Sequence, residues 1–102
     1  MPFGLSPQIF DKIQNVLAQY PEIEQAIIYG SRARGDQRTG SDIDLTLKGK
    51  NLTEALRKQI FVQLDALNTP YLFDLSLFDQ LNNPALIENI QREGKVFSEK
   101  TF

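Results

Sequence analysis

The 102-residue chain contains no cysteine and no histidine. Without cysteine, disulfides, thiolate nucleophiles, zinc knuckles and iron–sulfur sites are excluded. Without histidine, imidazole triads and histidine metal sites are excluded, along with the commonest general base near neutral pH. Any catalysis must rest on carboxylates, hydroxyls, Lys/Arg, backbone amides and a hard metal ion. The chain also has no excess of positive charge: 13 acidic residues face 11 basic ones, a formal net charge of −2. It therefore supplies no overall basic field for nucleic acid. No apolar run approaches the ~20 residues needed to cross a bilayer, and Met1-Pro2-Phe3-Gly4 is not the start of a signal peptide. A cytoplasmic location is expected.

What is present is ordinary in bulk. Hydrophobic residues make up 41% and charged residues 24%, the balance of a folded globular protein. The length suits one compact domain, so residues 1–102 are expected to form a single unit. Against this background one local feature stands out. Arg32, Arg34 and Arg38 fall within seven residues, while the chain has only two other arginines, Arg57 and Arg92.

The order of elements can be read from periodicity and punctuation. Ser6-Pro7 pairs a capping hydroxyl with proline at the first helical position, and apolar residues recur at three- and four-residue spacing from Ile9 to Tyr20 before Pro21 stops the helix. Ile23 to Tyr29 is short, β-branched and aromatic, a strand ending at Gly30; a turn or short helix follows over Ser31 to Thr39. Ile43, Leu45 and Leu47 alternate with Asp42, Asp44 and Thr46 as in a half-buried strand. Leu52, Leu56, Ile60 and Leu64 line one face of a second long helix. Tyr71 to Phe78 reads as a third strand, Asn83-Pro84 opens a last helix closed by Gly94, and Val96-Phe97 suggests an added edge strand. The expected fold class is α/β (α+β), a small mixed sheet flanked by helices.

Three places in this scheme could carry chemistry. Gly30-Ser31-Arg32-Ala33-Arg34-Gly35 follows a strand and opens a helical turn, where glycine allows close backbone approach and free amides suit a phosphate. Ser31 adds a hydroxyl, and Arg32 and Arg34 offer planar forks for phosphate oxygens; a solvated turn with surface arginines is the plainer alternative. Asp42 and Asp44, two residues apart on a strand, project from one face about 6–7 Å apart along the chain. Such a pair repels unless a cation lies between, and Mg²⁺ prefers one or two carboxylates plus phosphate oxygens. The alternative makes Asp42 a turn cap and Asp44 a solvent-facing residue of an edge strand. Asp74 sits in an apolar strand, where a carboxylate is costly unless paired, hydrogen-bonded or metal-bound. If its strand neighbours that of Asp44, three carboxylates converge near the loop; otherwise Asp74 could be salt-bridged to Arg or Lys. Tyr29 reads as an end-of-strand core residue, and Phe3, Phe97 and Phe102 as apolar residues available for a contact surface.

The Gly30–Gly35 loop, the run Ser41-Asp42-Ile43-Asp44-Leu45 and an aspartate about thirty residues later together resemble the nucleotidyltransferase superfamily of the DNA polymerase β type. Within it, the chain is similar to the minimal nucleotidyltransferases (MNT), which include the antitoxins paired with HEPN-domain toxins. The resemblance covers nearly the whole chain, because the element order also matches the family's catalytic core. It implies that Gly30 and Ser31 hold the triphosphate of the nucleotide, with Arg32 and Arg34 in the basic positions of the loop. It further implies that Asp42, Asp44 and Asp74 form the catalytic metal site for Mg²⁺, expected as two ions, with Asp74 also helping to deprotonate the acceptor. The implied activity is transfer of a nucleoside monophosphate, AMP from ATP, to a hydroxyl, expected to be a tyrosine of a partner HEPN toxin encoded nearby. Larger relatives carry an acceptor-binding domain, so here a partner protein or a homo- or hetero-oligomer would supply that surface, without stable DNA binding. Two alternatives remain beside this expectation: a non-catalytic antitoxin that neutralises its partner by complex formation, and nucleotidyl transfer to a small molecule such as an aminoglycoside.

Overall fold

Proline at the first turn and an oxygen cap start two of the three long helices, and all three carry a side-chain cap. In α1 (Pro7–Ala18) the Ser6 hydroxyl accepts from Ile9 N–H at 3.2 Å; in α3 (Glu54–Asp65) Thr53 caps Leu56; in α4 (Pro84–Glu93) Asn83 accepts from Ala85 and Leu86. Between them lie β1 (Gln25–Tyr29), the single-turn α2 (Ser31–Arg34), β2 (Ile43–Lys48), β3 (Phe73–Leu77) and, last, β4 (Lys95–Glu99). The computed structural model describes residues 1–100.

The four strands form one mixed sheet in the order β3-β2-β1-β4. β1 runs antiparallel to both β2 and β4, whereas β2 and β3 are parallel, with α3 in the connection between them. Side chains alternate across this sheet. One face carries Ala26, Ile28, Ile43, Leu45, Leu47, Phe73, Leu75 and Leu77, all buried against α1 and α3 through Ile13, Leu17, Ile60 and Leu64. The opposite face carries Ile27 and Tyr29, which α4 covers with Ile90 and Leu86, together with Phe78 and Leu81. On β2 and β3 that second face is polar: Asp44 and Thr46 lie beside Asp74 and Ser76.

Gly94 fits the close approach of α4 to the sheet, since a Cβ there would lie 2.7 Å from Ile27 Cγ2. The expected strand limits shorten: Asp42 lies just before β2 rather than on it, and Phe78 lies beyond the end of β3. Ile23 belongs to the turn after α1, donating to the Tyr20 carbonyl, and Tyr71-Leu72 precede β3, with Leu72 exposed. The edge strand suggested by Val96-Phe97 is longer than expected and pairs with β1 through a bulge between Ala26 and Ile27. Phe3 and Phe97 are not an outer contact surface. Phe97 is 4% exposed and its ring centroid lies 5.0 Å from that of Phe10 and 5.8 Å from that of Phe3, because β4 turns Phe97 toward α1. Phe102 lies outside the described residues.

Candidate active site

The site forms where β1 ends and β2 begins. These strands are antiparallel, so the loop leaving Tyr29 sits beside the residues entering β2, and Tyr29 is the register partner of Asp44. Gly30 follows with φ 77° and ψ −154°, a conformation that disfavours side chains. It also packs onto the second carboxylate: a Cβ at Gly30 would lie 2.6 Å from Asp44 Oδ2. The Gly30 carbonyl accepts from Ala33 and Arg34, which starts α2 and leaves the Ser31 and Arg32 N–H groups without an intrahelical acceptor. Gly35, at φ 86°, ends the turn.

The two loop arginines have different surroundings. Arg32 is 3% exposed, and its guanidinium is spent on backbone carbonyls: Nη1 donates to Phe3 at 2.9 Å, Nη2 to Ser41 at 2.8 Å, and Nε to Ser41 and Asp42 at 3.2 and 3.3 Å. It also stacks on Tyr71, 4.4 Å from the ring centroid. Arg32 thus ties the N-terminal turn and the start of β3 to the segment carrying Asp42. Arg34 is exposed on the surface and paired with Asp36 at 3.1 Å and Glu93 at 3.2 Å, which links the loop to α4. Arg38 is exposed, and its N–H donates to Ser41 Oγ at 2.8 Å in the turn before Asp42.

Asp44 does not lie on an edge strand: β2 is flanked by β1 and β3. In the parallel pair Asp44 stands in register with Asp74, and Thr46 with Ser76, whose hydroxyl donates to Thr46 Oγ1 at 2.9 Å. Burial, then the charges of Asp74 and Asp42, push the Asp44 carboxyl up to about 6, with Arg32 pulling the other way. Tyr29 is held protonated further into the alkaline range by burial and by Asp74. Asp74 is exposed, so the apolar surroundings expected from its neighbours in sequence are those of the opposite face, where Phe73, Leu75 and Leu77 point. It makes no salt bridge among the described residues.

A family model for polymerase beta nucleotidyltransferases matches residues 11–101, which takes in the loop and all three aspartates. The chain belongs to that family. No curated protein matches this nucleotidyltransferase in sequence. In fold it is similar to a chain of a toxin–antitoxin structure with AMP-PNP, at a TM-score of 0.70 and 23% identity over 89% of this chain and 73% of the other. A second similar structure is the complex of tri-AMPylated Shewanella oneidensis HEPN toxin with MNT antitoxin (TM-score 0.65, 20% identity, 91% and 71% covered). A third is the MntA-HepT toxin–antitoxin (TM-score 0.66, 19% identity, 93% and 74% covered). At these identities the likeness establishes the fold.

The donor set of the nucleotidyltransferase fits a hard divalent cation. Asp42, Asp44 and Asp74 offer only carboxylate oxygens, the ligands Mg²⁺ takes together with phosphate. Burial is the main cause of the Asp44 shift, and the repulsion from Asp74 and Asp42 that adds to it is of the kind that a cation relieves. Among the described residues, no three acidic side chains are drawn together closely enough to hold an ion as they stand. Among the same residues, no helix is long and apolar enough to cross a membrane.

Two features of the site are absent from the sequence reading. The Thr46–Ser76 hydroxyl pair forms the floor beyond the carboxylates, and strand alternation from Asp44 and Asp74 would have located it. Arg57 reaches the β3 edge from α3, donating to the Leu75 carbonyl at 3.1 Å; no local pattern signals that contact.

Proposed function

We propose that this nucleotidyltransferase moves a nucleoside monophosphate, AMP from ATP, onto a hydroxyl of a HEPN-type partner protein encoded nearby, a tyrosine being the expected acceptor, and so acts as an antitoxin. The observation that carries the reading is the alignment of Asp44 with Asp74 on neighbouring strands, beneath a glycine loop packed on the Asp44 carboxylate. Support for a protein acceptor comes from the similar fold found in complex with a tri-AMPylated HEPN toxin.

In this reading Gly30 lets the loop backbone approach the triphosphate, and the free amides of Ser31 and Arg32 with the Ser31 hydroxyl receive its oxygens. Arg34, exposed on the loop and paired with Asp36 and Glu93, exchanges these partners for phosphate oxygens in this reading. Arg32, with its donors on three carbonyls, shapes the segment that presents Asp42. Asp42, Asp44 and Asp74 would hold Mg²⁺, which would supply charge neutralisation at the phosphates. The acceptor oxygen bonds to the α-phosphorus, the bond from that phosphorus to the β-phosphate bridging oxygen breaks, and pyrophosphate leaves. Asp74, exposed on the open face, takes the acceptor's proton in this reading. Positioning and charge neutralisation carry such a transfer, so a site without histidine or cysteine suffices.

The test is intact-protein mass spectrometry of the product of the neighbouring gene, incubated with this chain, Mg²⁺ and each nucleoside triphosphate. A mass gain of one or more AMP units that is lost in Asp42→Asn and Asp44→Asn is the expected result. A tight complex without a mass gain would replace transfer by neutralisation through binding.

A further inference from the structure

The third aspartate is carried by the least supported strand of the site. β3 is an edge strand with β2 as its one neighbour, and Asp74 is exposed. Such an edge leaves outward backbone groups free and prone to pair with other chains. Here the Leu75 carbonyl, next to Asp74, is taken by Arg57 Nη1 at 3.1 Å. The same guanidinium is clamped from behind by Glu54, with Nε to Oε1 at 2.6 Å and Nη2 to Oε2 at 2.8 Å. This two-pronged arrangement fixes the plane and direction of the fork, and the Arg57 side chain is only 23% exposed.

We propose that Arg57 is a positioning residue for Asp74: clamped by Glu54, it pins the outer edge of β3 at Leu75 and holds the third carboxylate in line with Asp44. The proposal rests on the reading that Asp74 acts in nucleotidyl transfer. α3 otherwise meets β3 through apolar side chains on the covered face, and the ladder with β2 holds the inner edge of the strand. The Arg57 bond adds a hold on the other side, at the Leu75 carbonyl next to Asp74. The guanidinium charge, strengthened mainly by Glu54, also feels Asp74. A lysine has the charge but not the three fixed donor directions.

The experiment is a double-mutant cycle on transfer to the neighbouring gene's product, with Mg²⁺ and ATP. It compares Arg57→Ala and Arg57→Lys in the natural chain and in Asp74→Glu, which keeps a carboxylate but displaces it. Expected for Arg57→Ala is a fall in kcat of about tenfold with KM for ATP held within about twofold, as for a small misplacement of a reacting group. Arg57→Lys should recover less than half of the loss. In Asp74→Glu, where alignment is already lost, Arg57→Ala should cost less than about twofold more. An equal loss in both backgrounds, or an unchanged kcat, overturns the proposal while leaving the transfer reading intact. Full activity of Asp74→Asn overturns the role of Asp74 and this proposal with it. Should Arg57→Ala fail to fold, Glu54→Gln serves in its place: it loosens the clamp, with an expected loss of about threefold in kcat, and no loss there overturns the proposal.

Discussion

Asp44 and Asp74 are register partners across the one parallel strand pair of the sheet, and burial followed by the charges of Asp74 and Asp42 pushes the Asp44 carboxyl up to about 6. Two acids on neighbouring central and edge strands face the same open surface, with a third, Asp42, close enough to add to the repulsion. The arrangement works against the stability of the metal-free fold.

The sign of that effect is fixed by linkage. The folded state holds the Asp44 proton more tightly than the unfolded chain, whose value is near 3.8. Between these two values the folded state binds more protons, so stability is highest below the lower one and is lost as pH rises through about 6. Asp44→Asn removes this decline. Without divalent metal at pH 8 the variant is expected to be more stable by about 1–2 kcal/mol, allowing for solvent screening. Thermal melts of both proteins from pH 4 to pH 8 check this; parallel pH curves would contradict it.

Mg²⁺ and ATP together should raise the melting temperature, because ligands that bind only the folded state stabilise it in proportion to their concentration over Kd. The shift should grow with ligand concentration and vanish in Asp42→Asn and Asp44→Asn. A differential scanning fluorimetry titration that leaves the natural chain unmoved would count against the metal assignment.

Gly30→Ala is expected to destabilise the fold by about 1–3 kcal/mol through backbone strain. It should also cost activity beyond that, since the new methyl would lie only 2.6 Å from Asp44 Oδ2 and the carboxylate must move aside. Chemical denaturation alongside turnover measured well below the unfolding transition separates the two losses. Normal turnover in the folded variant would show that the loop does not need to touch Asp44.

The two loop arginines should part company. Arg32→Met leaves the Phe3, Ser41 and Asp42 carbonyls without their charged donor and is expected to cost about 2–4 kcal/mol of stability. Arg34→Ala should leave stability nearly unchanged, as its ion pairs are exposed, and act instead on KM for ATP. Equilibrium unfolding and steady-state kinetics on both variants decide the matter; an Arg32 variant of normal stability with weakened ATP binding would return Arg32 to the nucleotide.

How far this site can be read from the chain depends on the range of the interaction. Alternation over residues 43–48 is enough to bring Asp44 and Thr46 to one side, because the period of a strand is a local property, whereas Asp42 stands just before the strand. Nothing local says which strand β3 joins, so the pairing of Asp44 with Asp74 is conditional until the sheet order is known. Residues 71–78 look apolar on both faces apart from Asp74 and Ser76, because Tyr71, Leu72 and Phe78, outside the strand, merge in sequence with the inward Phe73, Leu75 and Leu77; that the face of Asp74 and Ser76 is open is hidden in that run. Arg32 misleads for a related reason: its acceptors are main-chain carbonyls, which no pattern of side chains encodes. Ser6, Asn83 and Gly94, by contrast, act within a turn of their own helices and are legible at once.

The bonds from Arg32 to Phe3, Ser41 and Asp42 also bear on the order of folding. The Arg32 bonds to the Ser41 and Asp42 carbonyls close over 9 and 10 residues, within the reach of the β1–β2 connection, whereas the bond to Phe3 spans 29 and the β1–β4 pairing far more. The turn leading into β2 is therefore expected to form early with the local strand pair, and the N-terminal turn and β4 to be added to it later.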